Sequence, residues 1–75
     1  MLTDEEYKEL IELISNFDYQ LTLISECHRS FHTNIAYRRY KRAKRDAHEM
    51  MLSMIRALEL LRVIYEKLSM RDCDE

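Results

Sequence analysis

Apolar side chains recur along the first third of the chain at alternating spacings of three and four: Tyr7, Leu10, Ile14, Phe17, Leu21, Ile24 and Phe31, with His28 in phase. This is a heptad seam, the pattern of a helix that packs along its whole length. Ile11 and Leu13 widen it, as a bundle helix requires. Thr3 and Glu6 have capping-box spacing, and Asp4, Glu5 and Glu6 suit the positive end of a helix dipole. Ser15, Asn16 and Asp18 are poor helix formers, but the seam passes through them in phase. A first helix is therefore predicted over about residues 3–29.

Ser30-Phe31-His32-Thr33-Asn34 all rank low in helix propensity, and Thr33 or Asn34 can cap a following helix. A turn is expected there; the alternative is one uninterrupted long helix. A second helix is predicted over about residues 35–70, with a buried stripe of Tyr40, Ala43, Ala47, Met50, Met51, Met54, Leu58, Leu61, Ile64, Tyr65 and Leu68. Folding at residues 30–34 brings Ile24 near Tyr40, Phe17 near Ala47 and Leu10 near Met54. The fold expected is all-α: a two-helix antiparallel hairpin.

In that register the second helix overhangs the first by about ten residues, on the order of 15 Å. The overhang carries Leu61, Val63, Ile64, Tyr65 and Leu68, a sizeable apolar surface that soluble monomers rarely leave in water. Leu58, Leu61, Ile64, Tyr65 and Leu68 are the expected oligomer interface, and a homodimeric four-helix bundle is the expected assembly.

Composition sharpens the fold class. The 75 residues contain no glycine and no proline, which removes the usual residues of tight turns and disfavours hairpin sheets. A single small domain is expected, of a size that usually needs help from oligomerisation. Cys27 and Cys73 fall at opposite ends of the hairpin drawn above, too far apart for a disulfide. Free thiols point to an intracellular, cytoplasmic protein. No signal peptide is expected, since the first residues are acidic where a signal would be basic, and the richest apolar run, residues 50–61, is too short and too charged to span a bilayer.

Charge is segregated along the chain. Residues 1–26 carry seven acids and one base, residues 27–45 seven bases and no acid, and residues 46–75 seven acids and four bases. The basic block marks the turn end of the hairpin. Arg38, Lys41, Arg42 and Arg45 stand at i, i+3, i+4 and i+7, with Arg39 and Lys44 beside them and Arg29 at the tip. This surface could follow nucleic-acid phosphates, meet an acidic protein, or simply be solvated or paired between subunits. Phosphate contact is expected over base reading, because no helix-turn-helix or zinc-finger pattern is present.

Other constellations carry less. Cys27, His28 and His32 have metal-compatible spacing but lack a second ligand pair, so no metal or cofactor is expected. Glu5-Glu6-x-x-Glu9-x-x-Glu12 resembles the carboxylate helix of MazG-type pyrophosphohydrolases, yet Glu49, Glu59 and Glu66 do not supply the second paired motif. Arg42 and His48 are spaced as in the Arg-x4–6-His signature of HEPN ribonucleases, whose domains are longer and richer in helices. No serine or cysteine lies at an elbow that could activate it, and no glycine loop can cradle phosphates. Four methionines between Met50 and Met70 read as core filler or as an adaptable docking face.

The expectation is a small non-enzymatic regulator or accessory protein that acts through protein–protein contacts, of the kind phage and mobile elements encode. A nucleic-acid-binding accessory protein is the alternative. Neither a small-molecule substrate nor a membrane partner is expected.

Overall fold

The computed structural model describes residues 2–70 as two helices packed against each other, α1 (Asp4–Ala36) and α2 (Tyr40–Ser69). They form a hairpin rod measuring 52 × 17 × 16 Å. Among the described residues there is no strand, and no helix is long and apolar enough to cross a membrane.

The start of α1 follows from the sequence. The Glu6 amide donates to Thr3 Oγ1 and the Thr3 amide donates to Glu6 Oε1, each at 3.1 Å, completing the capping box.

The turn lies further along than residues 30–34: α1 runs seven residues past the expected end at 29 and stops at Ala36. The weak helix formers are accommodated in other ways. Thr33 Oγ1 donates to the Arg29 carbonyl at 3.2 Å, within the helix. Ser30 and Asn34 turn their side chains across to α2, where both bond Asp46. Neither Thr33 nor Asn34 caps α2; its N-cap is Arg39, with no side-chain cap bond.

The chain reverses at Tyr37–Arg39. The Arg39 amide donates to the Asn34 carbonyl at 2.7 Å and the Arg38 amide to the Ile35 carbonyl at 3.0 Å. These are the two bonds of a Schellman closure, which needs its middle residue in the left-handed region. In a chain without glycine, Arg38 takes that place with φ 59°.

Moving the turn changes the register and removes the overhang. Glu9 Oε2 accepts from Lys67 Nζ at 3.2 Å near the open end, and Asp46 accepts from Ser30 near the tip. The two pairs lie in one register, so α2 ends beside Leu2, Glu6 and Leu10. Ile24 does not face Tyr40, nor Leu10 Met54.

The seam also shifts by one position. Leu10, Phe17, Ile24 and Phe31 point into the hairpin as expected, but they alternate with Glu6, Leu13, Gln20, Cys27 and Asn34. Tyr7, Ile14, Leu21 and His28 are exposed. On α2 the inward line is Ala43, Asp46, Met50, Ser53, Ala57, Leu60, Ile64 and Lys67. Small side chains explain the choice: Ala43, Ser53 and Ala57 are buried, and residues of that size let two helices approach closely while the phenylalanines and leucines of α1 fill the gaps. Met51, Met54, Leu58, Leu61, Tyr65 and Leu68 are exposed instead of buried.

Candidate functional site: an apolar face and a basic tip

Two surface features stand out, one along the rod and one at its end.

The first comes from a second heptad line on α2. Met51, Met54, Leu58, Leu61, Tyr65 and Leu68 repeat at three and four, about a quarter-turn round the helix from the inward line. Leu58 is 67% exposed and Tyr65 69%. On α1, Tyr7, Ile14, Leu21, His28 and Ile35 repeat every seven residues, apolar but for His28, with Ile11 beside them, also a quarter-turn from the seam and all exposed. Because the helices are antiparallel, quarter-turns of the same hand fall on the same side of the rod. The two lines therefore form one apolar face. The opposite side is more mixed: its shallow grooves are lined by Glu9, Glu12, Asn16, Gln20, Arg56, Glu59 and Lys67 together with Leu13, Leu60 and Val63, and Tyr19 and Leu52 are exposed there singly.

Four of the five expected interface residues, Leu58, Leu61, Tyr65 and Leu68, lie on this face along the rod, and not on an overhang. Ile64 does not. It is 6% exposed and belongs to the hairpin's own seam. Sequence reasoning missed Met51 and Met54 as outward residues by merging two heptad lines into one stripe. The signal was present, since α2 carries two separate lines in phase.

The core is thin for the apolar surface outside it. Eighteen large apolar residues are exposed among those described, while the buried apolar residues are Ala43, Ala57 and Ile64.

The second feature is the tip. Arg38 and Arg39 lie in the turn and not on the helix face expected of them, and Lys41, Arg42, Lys44 and Arg45 occupy the first two turns of α2. Arg29 stands on the outer side of α1. All seven are exposed, and none forms an ion pair among the described residues. Two tyrosines are interleaved with them: Tyr37, 68% exposed, and Tyr40, 63% exposed. The Arg39 guanidinium sits over the Tyr37 ring, 5.1 Å from its centre.

Beneath the tip, Asp46 Oδ2 accepts from Ser30 Oγ and from Asn34 Nδ2, both at 2.8 Å. The acid that directly follows the basic block is thus turned inward and engaged. His28 and His32 meet edge-to-face, ring centres 4.6 Å apart. Among the described residues no cluster of three His, Cys, Asp or Glu side chains could hold a metal. Cys27 lies in the seam, and burial, followed by the carboxylates of Asp46, Glu49 and Glu26, pushes its thiol above the usual range. Such a thiol is a poor nucleophile. Cys73 lies outside the described residues.

Comparison with protein-family models, with curated proteins and with solved structures gives no match to this chain.

Proposed function

We propose that this chain is a non-enzymatic accessory protein that works by binding, and that its apolar face is covered by a second copy to give a four-helix bundle. The observation that carries the reading is the second heptad line of α2, joined on the same side by Tyr7, Ile14 and Leu21.

Size supports the choice of a second copy. A rod of this length and width offers a side of roughly 900 Å² to a partner, close to what each member of a stable complex contributes. A two-fold pair uses the same patch twice, so an elongated flat face is a natural match to itself.

Charge supports one orientation. The turn end is basic, while the open end carries Asp4, Glu5, Glu6, Glu9 and Glu12. An antiparallel pair sets each basic tip over the acidic end of its partner; a parallel pair sets like against like. Antiparallel docking also lays the small Ala47 opposite the bulky end that carries Leu61, Tyr65 and Leu68.

Sedimentation equilibrium tests the reading. Twice the 9.2 kDa chain mass is expected at micromolar concentration, with a Tm that rises with protein concentration. A folded single copy, with a Tm independent of concentration, overturns it.

A further inference from the structure

We propose that the basic tip is a binding surface for single-stranded nucleic acid, its cations tracking phosphates while Tyr37 offers a ring on which a base stacks. Arg42 and Arg45 each precede an inward residue, Ala43 and Asp46, and so lie on the side of α2 away from the apolar face, where an antiparallel second copy does not cover them.

The charge at the tip is not explained by folding. The first turn of α2 holds no acid and contains Lys41 and Arg42, which oppose the positive end of the helix dipole. Each such cation weakens the start of the helix, and no ion pair offsets it among the described residues. Arg38 occupies a left-handed position that glycine would take at less cost. Sequence choices that weaken the local fold and concentrate like charge point to an anionic ligand outside the molecule.

The aromatic residues narrow the ligand class. Charge pairing with an acidic protein uses the cations, whereas the two largely exposed tyrosines among them add rings on which a base can stack. Nucleic acid uses both kinds of group: phosphates release counterions to arginine and lysine, and bases stack on rings. A single strand is favoured over a duplex because its bases are free to stack. Tyr37 already carries Arg39 over one face of its ring, and this leaves the other face for a base. Tyr40, one helical turn or less away, marks the start of α2 and borders the apolar face.

The surface also spans a useful length. From the turn to Arg45 is about 9 Å along the helix, and Arg29 on α1 extends the positive field down the neighbouring helix. That suits a few consecutive phosphates.

The test is fluorescence anisotropy with the full chain and labelled oligothymidylate of about fifteen nucleotides, within the range of known single-strand sites. Binding is expected at low salt, falling steeply on a log–log plot of affinity against salt between about 50 and 200 mM. The double substitution Arg42→Glu with Arg45→Glu should weaken binding by more than about tenfold and flatten that slope. Tyr37→Ala should weaken it about tenfold while leaving the slope unchanged, because stacking releases no counterions. Circular dichroism of each variant verifies that the hairpin persists.

Two controls separate the rival readings. An abasic oligomer of equal charge should bind more weakly than oligothymidylate, and so should polyglutamate. Equal binding of the abasic strand removes the stacking role of Tyr37 and overturns the proposal. Equal or tighter binding of polyglutamate makes the tip an acidic-protein site and overturns it as well. So does absence of binding at low salt.

Discussion

Asn34 Nδ2 donates to Asp46 Oδ2 at 2.8 Å, tying the last turns of α1 to the first turns of α2. The same carboxylate oxygen accepts from Ser30 at 2.8 Å, and the Asn34 backbone carbonyl accepts the Arg39 amide that closes the turn. One buried asparagine thus sets both the register of the helices and the place where the chain reverses. Polar residues inside a helical interface commonly act this way, at some expense of stability.

Removing that asparagine leaves Asp46 with one partner fewer in a half-buried setting. Asn34→Ala is expected to destabilise the hairpin by about 1–3 kcal/mol in urea or guanidinium unfolding, the range for a buried polar group left short of a bond. An unchanged midpoint would mean that water replaces the amide at no cost.

Arg38 gives the opposite result. With φ 59° it is held where any Cβ crowds the backbone carbonyl. Arg38→Gly is expected to stabilise the fold by about 0.5–1 kcal/mol, the gain in native-state strain outweighing the extra freedom of the unfolded chain. The same variant should lose affinity for oligothymidylate. Improved stability together with unimpaired binding would show that Arg38 serves neither purpose.

The seam tolerates no bulk at Ala57. Only 6% of that residue is exposed, and the register set by Glu9–Lys67 and Ser30–Asp46 places it between the levels of Phe17 and Gln20. Ala57→Leu is expected to cost about 1–3 kcal/mol by forcing the helices apart. Leu58→Ala, one residue on but outside the seam, should leave the hairpin register intact and lower only the concentration-dependent part of the stability.

The orientation of the proposed pair can be read by cross-linking. In a cysteine-free background, Leu58→Cys lies near the middle of the rod and Leu68→Cys near its open end. In an antiparallel pair a short bismaleimide joins two copies at position 58 but not at position 68, where the two sites stand about 35 Å apart. Cross-linking at both positions would mean a parallel pair.

Cys27 gives a pH signature. Its thiol proton is held more tightly in the folded chain than in the unfolded one, first by burial and then by Asp46, Glu49 and Glu26. The unfolded chain therefore releases that proton at lower pH. Stability is complete below the usual thiol range and should fall as pH rises through it. A Cys73→Ser variant should lose stability between neutral and strongly alkaline pH, and a further Cys27→Ser change should remove that component. Thiol reagents should modify Cys27 slowly until denaturant is added.

Heptad periodicity, the Thr3–Glu6 capping box and the absence of glycine and proline were enough to establish two long helices folded on each other. The clustering of cations at the turn end was equally legible, because charge depends on residue type and position alone. Packing decided the rest. Each helix carries two apolar lines a quarter-turn apart, and periodicity alone ranks neither as the inner one. Close approach favours Ala43, Ser53 and Ala57, so Leu58 and Tyr65 are left outside and Ile64 is drawn in. The turn could not be placed from propensity, since Ser30 and Asn34 are weak helix formers that gain their bonds from Asp46, sixteen and twelve positions away. Such long-range bonds exist only once the chain has folded, so the tertiary structure alone set the register, the equal reach of the two helices and the single apolar face.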